Sequence, residues 1–341
     1  MDPAERPTDP GRHGYIGSHA ALHLLDAGSA VIGLENLPRG STDAVATLKK
    51  WPRFTFLRCD LGDGGAIDEV FRNHRGISAV LHFASVTYTQ ESVDFPAVYK
   101  TNITTVTHLL VDTMIRYGVP VLVYSSSCAV YGAPTSFPIT ERTPTEPVSP
   151  YGKAKLDAEM YIQSRVSTTF KAHILRSFNV VGSDPEGRLD EHPVPSLAKY
   201  SRIWTSRLDV IFKRRQCVEL YDSTLDTPDG TAIRDYVHVT DLVQTHVLIL
   251  NRTAAVWNVR SGVATSTLEF VEAARRVSQT FIPICFGIGV SSHRPPQLYA
   301  SAQKIIDARV RHQTLDPSTA CWRPPGPGFG GVTMRNTRRH V

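Results

Sequence analysis

The sequence has few cysteines and no long apolar run, and each of these absences excludes a class of protein. Its five cysteines, Cys59, Cys128, Cys217, Cys285 and Cys321, contain no CxxC pair. An odd number at spacings unlike those of zinc ligands predicts reduced thiols rather than a metal site. No stretch of about 18 apolar residues is present, so we expect no helix that spans a membrane.

An excess of charge of one sign is also missing. The 37 basic and 32 acidic residues leave a net charge of +5, and the basic residues form no stripe. Nucleic acid is therefore not expected as a partner. Residues 1–10 are polar and proline-rich, which is typical of neither a signal peptide nor a transit peptide. These features together predict a cytoplasmic protein.

What the sequence does contain is a regular alternation of short apolar runs and amphipathic segments. Strands are predicted at 30–34, 54–59, 79–83, 119–124 and 173–176, and helices at 17–27, 64–73, 102–117 and 151–166. This order is typical of an α/β fold with a Rossmann-like doubly wound parallel sheet, whose ligands bind at the carboxyl ends of the strands. After about residue 180 the pattern loosens around helices predicted at 240–251 and 267–278, which predicts a smaller C-terminal lobe.

A glycine-rich loop opens the first predicted helix. Gly11, Gly14 and Gly17 have the spacing GxxGxxG, which lets backbone N–H groups approach a pyrophosphate at the helix N-terminus. Glu35 follows 18 residues after Gly17 at the end of a strand, where a carboxylate binds both ribose hydroxyls and repels a 2′-phosphate. The pair favours NAD over NADP, while a solvated loop acid is the alternative interpretation of Glu35.

A second motif carries proton chemistry. Tyr151 and Lys155 are four residues apart, so they share one face of a helix. An ammonium beside a phenol stabilises the phenolate and lowers the pKa of the tyrosine, which can then exchange a proton with a hydroxyl group. Ser127 ends the preceding strand and is placed to hydrogen-bond to the same hydroxyl.

Further motifs appear in a fixed order along the chain. They are GYIGSH at 14–19, ENL at 35–37, CDL at 59–61, LHFAS at 81–85, YSSSCAVYG at 124–132, SPYGKAK at 149–155, LRSFNVVGSDPEGRL at 175–189 and DGTAIRDYVHVTDL at 229–242. With these motifs the chain resembles the extended short-chain dehydrogenases/reductases and, within them, the UDP-sugar 4-epimerases. GSDPEGRL and the PITERTP segment at 138–144 look most like the plant-type UDP-arabinose 4-epimerases.

The resemblance implies an isomerase that uses NAD and no metal. The family interconverts UDP-arabinose and UDP-xylose, or UDP-galactose and UDP-glucose, through a transient 4-keto sugar. By this resemblance Tyr151 takes the hydroxyl proton, Lys155 lowers the pKa of the tyrosine and holds the nicotinamide ribose, and Ser127 bridges to the O4 hydroxyl. A homodimer built from the helices at 102–117 and 151–166 is implied as well.

The resemblance also assigns binding residues and domain limits. Around NAD it places Gly11, Gly14, Tyr15, Ile16, Gly17, Glu35, Asn36, Asp60, Leu61, Phe83, Ala84, Asn102, Tyr151, Lys155 and Phe178. Around the UDP-sugar it places Ser127, Asn179, Arg234 and Arg294. The predicted regions are a degraded N-terminus at 1–10, an NAD-binding domain at 11–179, a UDP-sugar lobe at 180–294 and a divergent, partly disordered tail at 295–341.

Several residues depart from the family pattern. Arg6-Pro7-Thr8-Asp9-Pro10 stands where the family has an apolar strand, and its two prolines exclude a central strand because proline lacks the N–H donor. Arg12 and His13 replace small residues of the glycine loop, and Ser177 replaces a tyrosine.

These departures leave open a non-catalytic relic that binds a sugar nucleotide or a dimer partner. A related decarboxylase or dehydratase is the third alternative, but Cys128-Ala129 lacks the acidic residue which that chemistry needs.

Overall fold

The computed structural model describes residues 14–37, 41–191, 203–211, 215–220, 223–286 and 295–308. The helices are α1 (Tyr15–Asp26), α2 (Thr42–Leu48), α3 (Gly64–Asn73), α4 (Thr89–Asp94), α5 (Pro96–Tyr99), α6 (Val106–Arg116), α7 (Pro150–Arg165), α8 (Ile203–Ile211), α9 (Val239–Leu248), α10 (Thr267–Ser278) and α11 (Gln303–Asp307). The strands are β1 (Val31–Glu35), β2 (Phe54–Arg58), β3 (Val80–His82), β4 (Val121–Ser127), β5 (Lys171–Ser177), β6 (Asn179–Val181), β7 (Val218–Leu220), β8 (Ile233–His238), β9 (Val256–Val259), β10 (Ala264–Ser266), β11 (Ile284–Phe286) and β12 (Gln297–Leu298). The order of elements confirms the predicted α/β class.

A parallel sheet of four strands, in the order β3-β4-β5-β9, forms the centre of the molecule. Leu122 and Tyr124 of β4 pack on one face with α3, α6 and α7, and Val123 packs on the other face with α1 and α9. These β4 residues are at most 1% exposed, because a parallel strand covered by helices on both faces has no side that contacts water. The sheet is therefore doubly wound, as the sequence predicts.

The strands β1 and β2 form a separate parallel pair. Within the described ranges β1 pairs only with β2 and β3 pairs only with β4. In the doubly wound order, the strand that joins these two parts of the sheet would precede the glycine loop. Residues 6–10, at which the sequence predicts no strand, precede the glycine loop and lie outside the described residues, as do Gly11, Arg12 and His13.

The C-terminal lobe is organised around β8. This strand pairs in parallel with β6 and β12 and antiparallel with β10. Strand β12 and helix α11 belong to the predicted tail, yet Leu298 and Ile305 are 7% and 1% exposed. The tail is therefore packed as far as residue 308, because these apolar side chains are buried against the rest of the chain.

Two cysteines of the lobe form a disulfide between β7 and β11. Cys217 and Cys285 are 68 residues apart and their Cα atoms lie 5.8 Å apart. The expectation of reduced thiols is wrong for this pair, because parallel pairing of β11 with β7 brings together cysteines that no sequence spacing relates. Cys59 and Cys128 are free and buried. Disulfides persist in oxidising compartments, so the cytoplasmic location stays a prediction.

None of the helices in the described part of the chain has both the length and the hydropathy that crossing a bilayer requires.

One predicted helix differs in detail from the structure. The segment predicted at 102–117 begins as a π-helix, Lys100–Thr105, and continues as α6. The π-helix contains Asn102, whose side chain contributes to the site described below.

The replaced first strand leads to a prediction about stability. Exchanging residues 6–10 for five apolar β-branched residues should raise the midpoint of thermal unfolding, because each newly buried side chain contributes about 1.5–3 kcal/mol. The measurement is thermal unfolding followed by circular dichroism. A control chain with serine and threonine at the same five positions should unfold at the original temperature, and equal midpoints for all three chains would contradict the prediction.

Candidate active site

The carboxyl end of β4 consists of three serines, and each of them makes a different contact. The carbonyl oxygen of Ser125 accepts a hydrogen bond of 2.9 Å from Lys155 Nζ. The hydroxyl of Ser126 donates to the Glu159 carboxylate. Ser127 Oγ accepts from the backbone N–H of Ala129 at 3.2 Å and thereby begins a 3₁₀ turn, Cys128–Tyr131. Ser127 thus lies at the edge of the sheet where ligands of this fold bind.

Helix α7 begins beside that 3₁₀ turn. Ser149 is the N-cap, and its Oγ accepts from the backbone N–H of Gly152 at 3.1 Å, while Pro150 occupies the first helical position. A Cβ on Gly152 would lie 2.5 Å from the carbonyl oxygen of Ala129. The missing side chain therefore lets α7 approach the end of β4 and brings Tyr151 and Lys155 close to the serines.

Tyr151 and Lys155 lie on the buried face of α7, as their spacing predicts. They are 8% and 3% exposed. Lys155 Nζ lies 5.9 Å from the centroid of the Tyr151 ring and 4.9 Å from that of the Tyr124 ring. Tyr99 meets the Tyr151 ring edge-on at 6.1 Å. Tyr151 and Lys155 therefore lie beside the carboxyl end of β4, the strand whose last residue is Ser127.

The burial of Lys155 changes its acidity. Loss of solvation lowers the pKa of the Lys155 ammonium from 10.5 to about 7, and the carboxylate of Glu159 opposes this shift. Burial raises the pKa of the Tyr124 phenol well above 10. Tyr124 thus stays protonated, and the second tyrosine at the ammonium, Tyr151, remains as the candidate for proton exchange.

A buried ion pair that none of the sequence motifs indicates lies beneath Tyr151 and Lys155. Arg176 of β5 contacts Glu159 through Nη2–Oε2 at 2.6 Å and Nε–Oε1 at 3.1 Å. The two side chains are 7% and 1% exposed. The spacing of four residues between Lys155 and Glu159 was the available signal, because it places both side chains on one helix face.

The residues predicted around the adenosine end of NAD lie near the N-terminus of α1 and the ends of β1 and β2. Gly14 is the N-cap of α1, a Cβ there would meet no atom of the described residues within 4 Å, and the first turn carries no acidic residue. Glu35 ends β1 and accepts from the backbone N–H of Leu37 at 3.1 Å. Asn36 donates to the Asp60 carboxylate at 3.0 Å, next to Leu61.

The residues predicted nearer the nicotinamide lie in the segment that follows β3. Asn102 Oδ1 accepts from the backbone N–H of Val86 at 2.9 Å and so holds the segment that contains Ala84. A Cβ added to Gly17 of α1 would lie 3.6 Å from the Cβ of Phe83, so the Phe83 side chain packs beside this helix. Tyr15 of α1 donates from its hydroxyl to the carbonyl of Gly182, while Ile16 packs in the cluster that holds Phe83.

Besides Ser127 of β4, two residues predicted around the UDP-sugar lie in the described ranges, on β6 and β8. Asn179 begins β6, which pairs with β8, and it follows Phe178, a buried residue predicted around NAD. Arg234 of β8 donates to the carbonyl oxygens of Ile233 at 2.7 Å and Pro295 at 2.9 Å. Burial raises the pKa of the Cys128 thiol to about 12, and the positive charge of Arg234 opposes this rise. The remaining predicted ligand, Arg294, lies outside the described residues.

The described residues fit a dinucleotide. The N-terminus of α1 combines an open glycine position with a first turn free of carboxylates, as an anionic pyrophosphate requires. Glu35 stands at the end of the neighbouring strand, where it suits ribose hydroxyls and disfavours a 2′-phosphate.

Comparisons with known proteins agree with this geometry. A sequence profile of the NAD dependent epimerase/dehydratase family matches residues 10–260. UDP-arabinose 4-epimerase 1 of Arabidopsis thaliana is 43% identical over 326 residues, which cover 92% of this chain and 77% of that protein. UDP-glucose 4-epimerase of Bacillus subtilis is 36% identical, covering 81% of this chain and 83% of that protein. The crystal structure of UDP-glucose 4-epimerase from Stenotrophomonas maltophila with bound NAD and formylated UDP-arabinopyranose has a TM-score of 0.84 at 27% identity, covering 91% of this chain and 93% of that one.

The close approach of α7 to β4 leads to a prediction. Gly152→Ala should destabilise the protein by about 1–3 kcal/mol, because the added methyl group would overlap the Ala129 carbonyl and push α7 away from β4. The free energy of unfolding in urea measures the effect. Gly65→Ala in α3 is the matched control, because its Cβ would meet only the Asp63 side chain at 3.4 Å. Equal stabilities of the two variants would contradict the prediction.

Proposed function

The chain belongs to the NAD dependent epimerase/dehydratase family, and on that premise we propose that it is a UDP-sugar 4-epimerase whose substrate pair is UDP-arabinose and UDP-xylose. The observation that carries the proposal is the convergence of Tyr151, Lys155 and Ser127 at the carboxyl end of β4. The identity of 43% to UDP-arabinose 4-epimerase 1 of Arabidopsis thaliana supports the choice of sugar.

The proposed chemistry is proton transfer at the 4-hydroxyl of the sugar. Tyr151 accepts the proton of that hydroxyl, and the Lys155 ammonium stabilises the phenolate electrostatically. Ser127 donates a hydrogen bond to the same oxygen and fixes its position beside the phenol. When bound, NAD supplies a reversible two-electron acceptor for the hydrogen at C4. Tyr151 would return its proton to the 4-oxygen as a hydride is restored to C4 from the opposite face of the sugar ring, which would give the 4-epimer.

We also propose contacts with NAD and with the UDP-sugar for the other predicted residues. Gly14, Tyr15, Ile16 and Gly17 would hold the pyrophosphate of NAD at the N-terminus of α1, and Glu35 would hold the ribose. Asn179 and Arg234 would bind the UDP diphosphate, for which a guanidinium supplies charge-assisted hydrogen bonds. The carbonyl oxygens of Ile233 and Pro295 hold the Arg234 guanidinium at the edge of β8.

The residue that follows Ser127 argues against elimination or decarboxylation. Cys128 occupies the position at which the related dehydratases carry an acid, and burial raises the pKa of its thiol to about 12. A thiol of that pKa is too weak an acid to protonate a leaving hydroxyl group. Ala129, the next residue, has no titratable group. Both residues support epimerisation over the sister reactions.

The proposed reaction leads to a prediction about Tyr151. Proton NMR of the purified chain with NAD and UDP-xylose should show the anomeric signal of UDP-arabinose. Tyr151→Phe should lower the rate by about 10²–10⁴-fold, because the ring stays in place while the proton acceptor is lost.

Tyr161→Phe is the matched control for this experiment. Tyr161 lies on the same helix, and its hydroxyl donates to the Asp112 carboxylate at 2.6 Å, away from Lys155. This variant should keep the original rate. Folded protein that binds UDP-xylose without forming the epimer would support the non-catalytic relic. Release of carbon dioxide when a UDP-sugar with a C6 carboxylate replaces UDP-xylose would support the decarboxylase.

We also infer that the protein is a homodimer built from α6 and α7. These helices pack side by side, with His108 stacked on Tyr161 at 3.7 Å. Their outer surface carries apolar side chains that contact water, with Met160 61% and Ile115 38% exposed. An exposed apolar side chain on each of these two packed helices supports the inference that this face is covered by a second copy.

The dimer leads to a prediction about mass. Met160→Glu should halve the molar mass measured by light scattering, because two buried carboxylates would face each other across the interface. Phe281→Glu is the control, since this side chain is 77% exposed after α10 and should leave the mass unchanged. A monomeric parent chain, or a dimer that only Phe281→Glu dissociates, would contradict the inferred interface.

A further inference from the structure

The Glu159 carboxylate lies where the three elements beneath the candidate active site meet. Its own helix, α7, also carries Tyr151 and Lys155. Ser126 of β4, which precedes Ser127, donates its hydroxyl to Glu159 Oε1. Arg176 of β5 donates from Nη2 to Oε2 at 2.6 Å. One carboxylate therefore connects the helix with both central strands of the sheet.

Arg176 is itself held from the opposite side. Its guanidinium lies 4.8 Å from the centroid of the Tyr131 ring. The Tyr131 hydroxyl donates to Asn258 Oδ1 at 2.8 Å. Ser126 and Arg176 are partners in the register of β4 and β5. The guanidinium thus has one orientation, and it keeps the Glu159 carboxylate next to β4.

We propose that Glu159 and Arg176 are positioning residues of the active site: the Glu159 carboxylate is the inner countercharge of the Lys155 ammonium, and Arg176 holds that carboxylate in place. The proposal rests on the proposed function, in which charged Lys155 stabilises the Tyr151 phenolate. Neither Glu159 nor Arg176 needs to touch the sugar or NAD for this role.

Stability alone is a weak reason for such a pair. Two ions lose solvation free energy when they are buried, and their mutual attraction only partly offsets this loss. Apolar residues of similar volume often stabilise a core at least as much as such an ion pair. Glu159 and Arg176 are 1% and 7% exposed, so the cost applies to both. An electrostatic effect on the neighbouring ammonium is a role that apolar residues cannot fill.

The charges around Lys155 make the effect of Glu159 specific. The groups that ionise near the ammonium are Tyr151 and Glu159 of α7, Tyr124 of β4 and His82 of β3. Arg176 of β5 contacts Glu159, and its guanidinium lies over the ring of Tyr131 in the 3₁₀ turn. Burial together with the nearby ammonium lowers the pKa of His82 to about 3, so this ring is neutral. Glu159 is the carboxylate that opposes the fall in the pKa of Lys155.

The sign of the expected pH effect follows from this arrangement. The folded-state pKa of Lys155 is lowered to about 7 by burial, and Glu159 keeps it from falling further. Without that carboxylate the charged form of Lys155 is less stable relative to the neutral amine, so the pKa of Lys155 falls. When the pH is raised, Lys155 then loses its proton at a lower pH than in the parent protein.

The test is a direct titration of Lys155 by NMR in protein labelled with carbon-13 at lysine Cε, with the signal assigned by Lys155→Met. Glu159→Gln should lower the pKa of Lys155 by about one unit or more, and Glu159→Asp should restore most of the shift because it keeps the charge. The measurement uses the folded chain without substrate.

Two further variants keep the experiment decisive. Glu159→Gln leaves Arg176 buried without a counterion, so the double variant Glu159→Gln/Arg176→Gln removes both charges together and should fold. It should show the same direction of shift. Asp157→Asn removes a carboxylate from the exposed face of α7 and should leave the titration of Lys155 unchanged.

Activity supplies an independent measurement. In an active chain, Glu159→Gln should lower kcat about tenfold or more while KM for the UDP-sugar changes less than about threefold, because the ammonium acts on the phenolate during the reaction. Unchanged titration of Lys155 in both folded Glu159 variants would overturn the proposal and leave the pair a structural contact. Absence of epimerase activity in the parent chain would instead refute the proposed function, and the lysine titration would still decide the role of Glu159.

Discussion

The hydrogen bond from the Lys155 ammonium to the Ser125 carbonyl joins helix α7 to the carboxyl end of β4. A buried ammonium must find its partners inside the protein, because unpaired burial of a charge costs several kcal/mol. This requirement accounts for the neighbouring features. Gly152 allows the close approach, the aromatic rings of Tyr124 and Tyr151 surround the charge, and Glu159 balances it from the next turn of the helix.

The same requirement distributes polar groups through the centre of the sheet. Each of the three serines at the end of β4 has its own hydrogen-bond partner: Lys155 for Ser125, Glu159 for Ser126 and Ala129 for Ser127. Arg176 and Asn258 continue this polar region into β5 and β9. The apolar clusters on the two faces of the sheet hold the helices, and the polar layer between them determines how α7 is placed.

Much of the first domain could be predicted from the sequence because its signals are local. Asp63 caps α3 and Ser149 with Pro150 begins α7, and these helices have nearly the predicted bounds. The strands of the lobe are mostly three residues long, too short for periodicity to identify. Tyr151, Lys155 and Ser127 were identifiable from motifs, and their chemical roles stay predictions. The spacing of Lys155 and Glu159 places both side chains on one helix face. The contact of Glu159 with Arg176 and the disulfide join distant segments, and no spacing in the sequence encodes these two contacts.

The disulfide between Cys217 and Cys285 turns part of the chain into a covalent ring. The ring contains β8, α9, β9, β10 and α10, and β9 pairs with β5 of the central sheet. It therefore runs through both the C-terminal lobe and the central sheet. A protease that cleaves one bond inside the ring leaves two fragments that remain linked, so a cut chain keeps its full mass until a reductant is added. On a gel, intact and cut protein would differ only under reducing conditions.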